Sequence, residues 1–220
     1  MAIESNNISE PSFRGKHSVA LRIWHWATYF LITGSLVTVL FAKTLFNAKT
    51  NTQLVQGNLQ KSNVPVTATQ ARSVAHEFSD LIWGWHIYIG YVLAGFLGFR
   101  ILFELFQPKN QKVIPAIKNS LAYLRQPNAN AKQGKHYLLV RIIYLFFYLA
   151  LLVQAITGLF MAYSDDVPNL KNLRHTASDI HSVFMWVIIT YIVIHLGGVL
   201  LAELGKKYKG VISDMINGGE

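Results

Sequence analysis

The chain has 220 residues, 52% of them hydrophobic and only 14% charged, and its apolar residues are gathered into long runs. That clustering marks a membrane protein. A net charge of +9 raises nucleic acid as a partner, but no basic stretch is interleaved with aromatics on a soluble segment, so nucleic-acid binding is excluded. Cysteine is absent, which excludes disulfides, thiolate metal sites, iron–sulfur clusters and covalent attachment of a c-type haem.

In chain order, residues 1–19 read as a polar cytoplasmic tail punctuated by Pro11 and Gly15. A first span covers about 20–42; it begins too late and runs too long for the core of a cleavable signal peptide. The polar loop 43–80 is long for a bundle connection and is expected to fold over the helix ends or dock a partner. A second span covers 81–106. Within 107–137, Pro115 opens a run with Ile117, Leu121 and Leu124 at helical spacing and Lys118 and Arg125 between them, which predicts a short helix lying on the membrane surface. After a third span at 138–162, Asp165, Asp166 and Pro168 predict a turn. A fourth span at 179–204 closes the domain 20–205, and 206–220 read as a second cytoplasmic tail.

A bilayer core needs roughly 20 helical residues and leaves no water to satisfy a backbone. The expected fold is therefore all-α, an integral membrane four-helix bundle. The N-terminal tail, the segment from about 100 to 141 and the C-terminal tail, with Arg22 at the head of the first span, carry 14 Lys and Arg; the loops 43–80 and 163–180 carry six, against five acidic residues. The positive-inside rule puts both termini, and the short interfacial helix, on the cytoplasmic side of the membrane.

Four of the eight histidines fall inside apolar spans, where an ionisable side chain is costly and faces a functional interior. His25 and His195 share a level near the cytoplasmic ends of their spans. His86 and His181 share the opposite level. His181 and His195 are 14 residues apart, which turns a helix to within 40° of four full turns and separates them by ~21 Å along its axis. One face of the fourth helix thus presents an imidazole near each surface, each with a partner at matching depth. Paired neutral imidazoles suit the two axial positions of haem iron, so the pairs His25/His195 and His86/His181 would stack two haems across the bilayer. Helix-to-helix hydrogen bonding is the plainer reading for any one of them alone. A metal-ion channel or transporter would add Asp or Glu within the spans, whereas Glu104 and Glu203 sit at the cytoplasmic helix ends.

The remaining histidines read as solvated or interfacial: His17 and His136 before cytoplasmic helix starts, His76 and His175 in external segments. His76 is the one rival ligand, but ten residues turn a helix by 280°, so it and His86 cannot point the same way. Gly90, Ala94 and Gly98 form a small-residue strip that admits the close approach of either a haem plane or a neighbouring helix, with Gly34 and Gly158 similar. Arg22, Arg100 and Arg141 stand where guanidinium meets either haem carboxylates or lipid phosphate. Arg22, one turn before His25, is the best candidate for cofactor binding. Lys171 and Arg174 would serve an outer haem. Trp24, Trp26, Trp83 and Trp85 fit an interfacial aromatic belt.

Arg22-Ile23-Trp24-His25-Trp26, the WHIYIG run containing His86, TGLFM from Thr157, His181 with His195, and KGVISDMING near the C-terminus resemble the bacterial cytochrome b561 family, which includes the b-type cytochrome subunits of nickel–iron hydrogenases. The likeness runs from about residue 17 to 215. It implies two haem b groups in a four-helix core and electron exchange with membrane quinone, and it carries over as ligands onto His25, His86, His181 and His195. The hydrogenase-type members have a further helix and a dedicated partner.

The expected function is a transmembrane electron carrier, joining an external redox protein or larger oxidoreductase complex to the quinone pool. Quinone would bind at the cytoplasmic end, where His17, Arg22 and neighbouring groups exchange its protons. Two alternatives stay open: a superoxide:quinone oxidoreductase acting alone, and a non-redox scaffold or transporter subunit whose histidines are structural.

Overall fold

The computed structural model describes residues 19–106, 112–127, 130–164, 167–205 and 210–218. The N-terminal tail with His17, and Asp165 and Asp166 of the last connection, lie outside them. Among the described residues seven helices follow in order: α1 (Val19–Lys43), α2 (Ala48–Lys61), α3 (Ala68–Phe106), α4 (Val113–Leu124), α5 (Ala131–Tyr163), α6 (Arg174–Leu204) and α7 (Val211–Asn217), with a short 3-10 helix, Pro168–Leu173, before α6. No strand occurs among the described residues.

Four helices, α1, α3, α5 and the 3-10 helix continued into α6, are long and apolar enough to cross a membrane. Their outward faces carry large exposed apolar side chains, among them Phe30, Phe99, Phe146 and Val193. Such a surface is stable against lipid and not against water. Inside, Ile32, Leu97, Ala150, Leu151 and Ile188 form a buried layer contributed by all four helices.

The spans predicted from apolarity are found, but the helices overrun them. α3 starts at Ala68 rather than 81 because Thr67 and Gln70 cap it reciprocally: Thr67 N donates to Gln70 Oε1 at 2.9 Å and Gln70 N donates to Thr67 Oγ1 at 3.2 Å. With 39 residues, α3 is about 58 Å long against a bilayer core of about 30 Å, so its first turns stand outside the membrane. There Ala71, Ala75 and Ser79, spaced by four, are buried. α2 packs along this extension of α3. The predicted loop 43–80 is thus largely helical. Asn47 caps α2, accepting from Thr50 N at 3.2 Å, and Asn63, at φ 57°, makes the left-handed turn that reverses the chain into α3.

The helix predicted around Pro115 is α4, which lies against α5. Its approach requires Gly134, where a Cβ would come within 2.6 Å of Leu124 Cδ2. The C-terminal segment, read from sequence as a tail, contains α7. Arg22 Nη1 and Trp26 Nε1 on α1 donate to the carbonyls of Ile216 (3.2 Å) and Met215 (2.9 Å), and Glu203 accepts from the amide of Gly210.

Backbone packing is uneven. α1 packs on α3, α5 on α6, and α3 on α5, whereas α6 makes no comparable backbone approach to α1 or α3. The side chains that span this wider separation define the site.

Candidate functional site

Two imidazole pairs cross from α6 to the α1/α3 side. The His25 and His195 ring centroids are 6.1 Å apart, and those of His86 and His181 are 6.3 Å apart. All four side chains are half-buried, while His76, His136 and His175 are exposed. His175 pairs with Asp179 at 3.1 Å, on the surface. The four histidines singled out by depth in the sequence are therefore brought together two by two, at opposite ends of α6.

At the His86 level the rings are held by hydroxyls. Thr38 Oγ1 donates to the Ser35 carbonyl at 2.6 Å, which leaves its lone pairs to receive His86 Nδ1–H at 3.0 Å; the Ser35 carbonyl and hydroxyl lie 3.3 Å from the same nitrogen. On the other side Thr157 Oγ1 donates to the Val153 carbonyl at 2.7 Å and receives His181 Nδ1–H at 3.0 Å. With both Nδ1 atoms protonated and engaged, Nε2 is left as the coordinating nitrogen of each ring. A hydrogen bond to the second ring nitrogen is the usual support of a metal-bound imidazole. Gly158 admits this arrangement, because a Cβ there would lie 3.2 Å from His181 Cε1.

At the His195 level support comes from rings. Tyr191 stacks on His195 at 5.8 Å and 5°, and Phe147 stacks on Tyr191 at 4.3 Å. Trp26 meets His25 edge-on at 5.7 Å.

The donor set fits haem. Two imidazoles bonded to one iron, each through a nitrogen at about 2 Å, hold their centroids roughly 6 Å apart. A porphyrin supplies the other four nitrogens, so two protein ligands suffice. No group of three or more His, Asp or Glu positioned for a bare metal ion occurs among the described residues. The wider separation of α6 from α1 and α3 is where a flat macrocycle would be admitted.

The remaining candidates are placed as follows. A Cβ built at Gly90 or Gly98 meets nothing within 4 Å, so no neighbouring helix packs against the Gly90/Ala94/Gly98 strip there and its face is open to a flat group; at Gly34 it meets only Ile89 Cδ1, at an ordinary 3.6 Å. Arg141 is engaged with Tyr137, 2.8 Å from its hydroxyl. Arg22 holds α7, while Arg100 points inward, its guanidinium carbon 5.9 Å from the Trp24 ring and 5.7 Å from Tyr148. Lys171 and Arg174 are exposed. A groove of about 430 Å³ opens between α1 and α7, lined by Val19, Arg22, Ile23, Trp26, Ala27 and Ile216.

The family model for prokaryotic cytochrome b561 matches residues 16–218, which is nearly the whole chain. The chain belongs to this family. No curated protein and no solved structure gives a match. As a b561 cytochrome it is a transmembrane haem b electron carrier, and its four long apolar helices make it a multi-pass membrane protein. Of the supports in this cytochrome, Ser35 and Thr38 are unmarked in the sequence, and Thr157 is marked there only as the head of a motif, not as a partner of His181. Their signal, a hydroxyl within an apolar run, is weak until the helices are assembled.

Proposed function

We propose that this b561 cytochrome carries electrons between an external redox partner and the membrane quinone pool, with one haem b held by His86 and His181 and a second by His25 and His195. The two imidazole pairs at 6.3 and 6.1 Å are the observation that carries this reading. Bound haem supplies a reversible one-electron couple at each level.

The chain's own residues do the holding and the insulating. Thr38 and Thr157 keep Nδ1 protonated and set the ring planes at the His86 level. Tyr191 and Trp26 confine the rings at the other. Ile32, Leu97, Ala150, Leu151 and Ile188 keep water out between the two levels. The distribution of Lys and Arg orients the His25 level and both termini toward the cytoplasm.

Quinone would enter from lipid by the groove between α1 and α7. Ile23, Trp26, Ala27 and Ile216 offer apolar walls for its ring, and the Arg22 guanidinium, which also lines the groove, offers a donor for a carbonyl. A guanidinium stays charged, so Arg22 would orient the carbonyl rather than deliver its proton.

Purified protein examined by reduced-minus-oxidised spectroscopy, with haem quantified per chain, tests the assignment. Two low-spin haem b groups per chain are expected. One haem per chain, or high-spin iron lacking a second imidazole, would overturn it.

A further inference from the structure

Three buried nitrogen donors near the His25 level have no acceptor among the described residues; Arg22 Nε belongs to a side chain that lines the α1/α7 groove, and the other two lie together. Arg100 Nε and Trp24 Nε1 are fully enclosed and unpaired among the described residues. They belong to adjacent side chains, with the Arg100 guanidinium carbon 5.9 Å from the Trp24 ring, and Trp24 immediately precedes His25. The Arg100 side chain is only 13% exposed. Enclosing such donors unpaired is costly, and most buried polar groups are satisfied.

Indole and guanidinium donate and never accept, so whatever satisfies them must be an acceptor. Glu104 is not free to turn inward: Oε2 pairs with Arg100 Nη1 at 3.1 Å and Oε1 accepts from the Val113 amide at 2.7 Å. An acceptor with two oxygens suits two donors on two side chains, and the arginine charge favours an anion. We propose that Arg100 and Trp24 form a buried cradle for one carboxylate, and that this carboxylate is a propionate of the haem held by His25 and His195. The inference rests on the haem reading above. It moves the main carboxylate contact to Arg100, on a different helix from Arg22.

The test uses the full chain purified with its haem, expressed with 5-aminolevulinate carrying carbon-13 in its carboxyl group, so that the haem propionates are labelled and protein carboxylates are not. Redox-difference infrared spectra and redox titrations are recorded for the unaltered chain, Trp24→Phe and Arg100→Gln. Trp24→Phe keeps an aromatic ring and the Arg100 charge while removing the N–H together with the five-membered part of the indole; a label-sensitive carboxylate band is expected to move in it. In Arg100→Gln, loss of a positive charge beside the haem disfavours its reduced form, so one haem potential is expected to fall by about tenfold in equilibrium constant, 59 mV for one electron, with the other unmoved.

Label-sensitive bands identical in all three proteins would overturn the proposal. So would a band that moves in Trp24→Phe but carries no label, which would place a protein or lipid carboxylate in the cradle. An unaltered chain with no haem b bands would instead sink the haem reading itself, a distinguishable result.

Discussion

Thr157 on α5 receives the Nδ1 proton of His181 on α6 across 3.0 Å, while its own hydroxyl proton is committed to the Val153 carbonyl. On the proposed ligation, removing that acceptor would lower the basicity of the imidazole and weaken its preference for oxidised iron. In Thr157→Val the potential of the His86/His181 haem is expected to rise by about 1 kcal/mol, roughly fivefold in its redox equilibrium, with Thr157→Ser restoring it. A redox titration in which both potentials stay in place would refute this role.

The two imidazole pairs sit at separate ends of α6 and share no side chain. His86→Ala or His181→Ala is expected to remove one haem and leave the other, and His25→Ala or His195→Ala the reverse. Pyridine haemochrome assays should give a ratio near one in every case. Retention of both haems in any of the four variants would disqualify that residue as a ligand.

Gly158 tests the packing around His181. A Cβ there would lie 3.2 Å from the ring, so Gly158→Val is expected to displace the imidazole and cut occupancy of that haem several-fold. At Gly84 a Cβ would meet nothing within 4 Å, and Gly84→Ala should leave haem content unchanged. Equal haem content in the two variants would contradict the arrangement.

Glu104 joins two elements, pairing with Arg100 and accepting the Val113 amide at the start of α4. Glu104→Ala should cost on the order of 1–2 kcal/mol. Hydrogen exchange should show the loss in the first turn of α4 before the spans. Unchanged protection there would mean the contact contributes nothing.

The groove between α1 and α7 is the proposed quinone entry. Ile216→Trp should fill it, slowing quinone reduction at least tenfold while the haem spectra stay as they were. Undiminished rates would send the quinone site elsewhere.

Much of this arrangement could be read from residues alone. Apolar runs located four spans, and the 14-residue interval on the fourth put His181 and His195 on one face at matched depths with His86 and His25. Helix ends were less legible. The start of α3 lies in a polar stretch whose signal is the Thr67/Gln70 capping pair, and its small residues Ala71, Ala75 and Ser79 are buried only because α2 covers them. Contacts between helices were least legible. Sequence proximity favoured Arg22 as the partner of the His25 level; the crossing of α1 and α3, which proximity does not reveal, also sets Arg100 over Trp24, while Arg22 Nη1 bonds the C-terminal helix. Among the glycines, repetition by four drew attention to Gly90 and Gly98, whereas the isolated Gly158 is the one against which an imidazole rests.

The buried apolar layer around Ile32, Leu97, Leu151 and Ile188 lies between the two imidazole levels, ~21 Å apart in a hydrocarbon core of about 30 Å. On the proposed reading, an electron passing between the levels crosses most of the membrane's voltage drop. Each 100 mV across the whole bilayer is worth about 2.3 kcal/mol per elementary charge. An energised membrane would therefore tilt the balance between the two ends, so that this cytochrome's steady state would register the cell's energy status as well as the supply of its reductant.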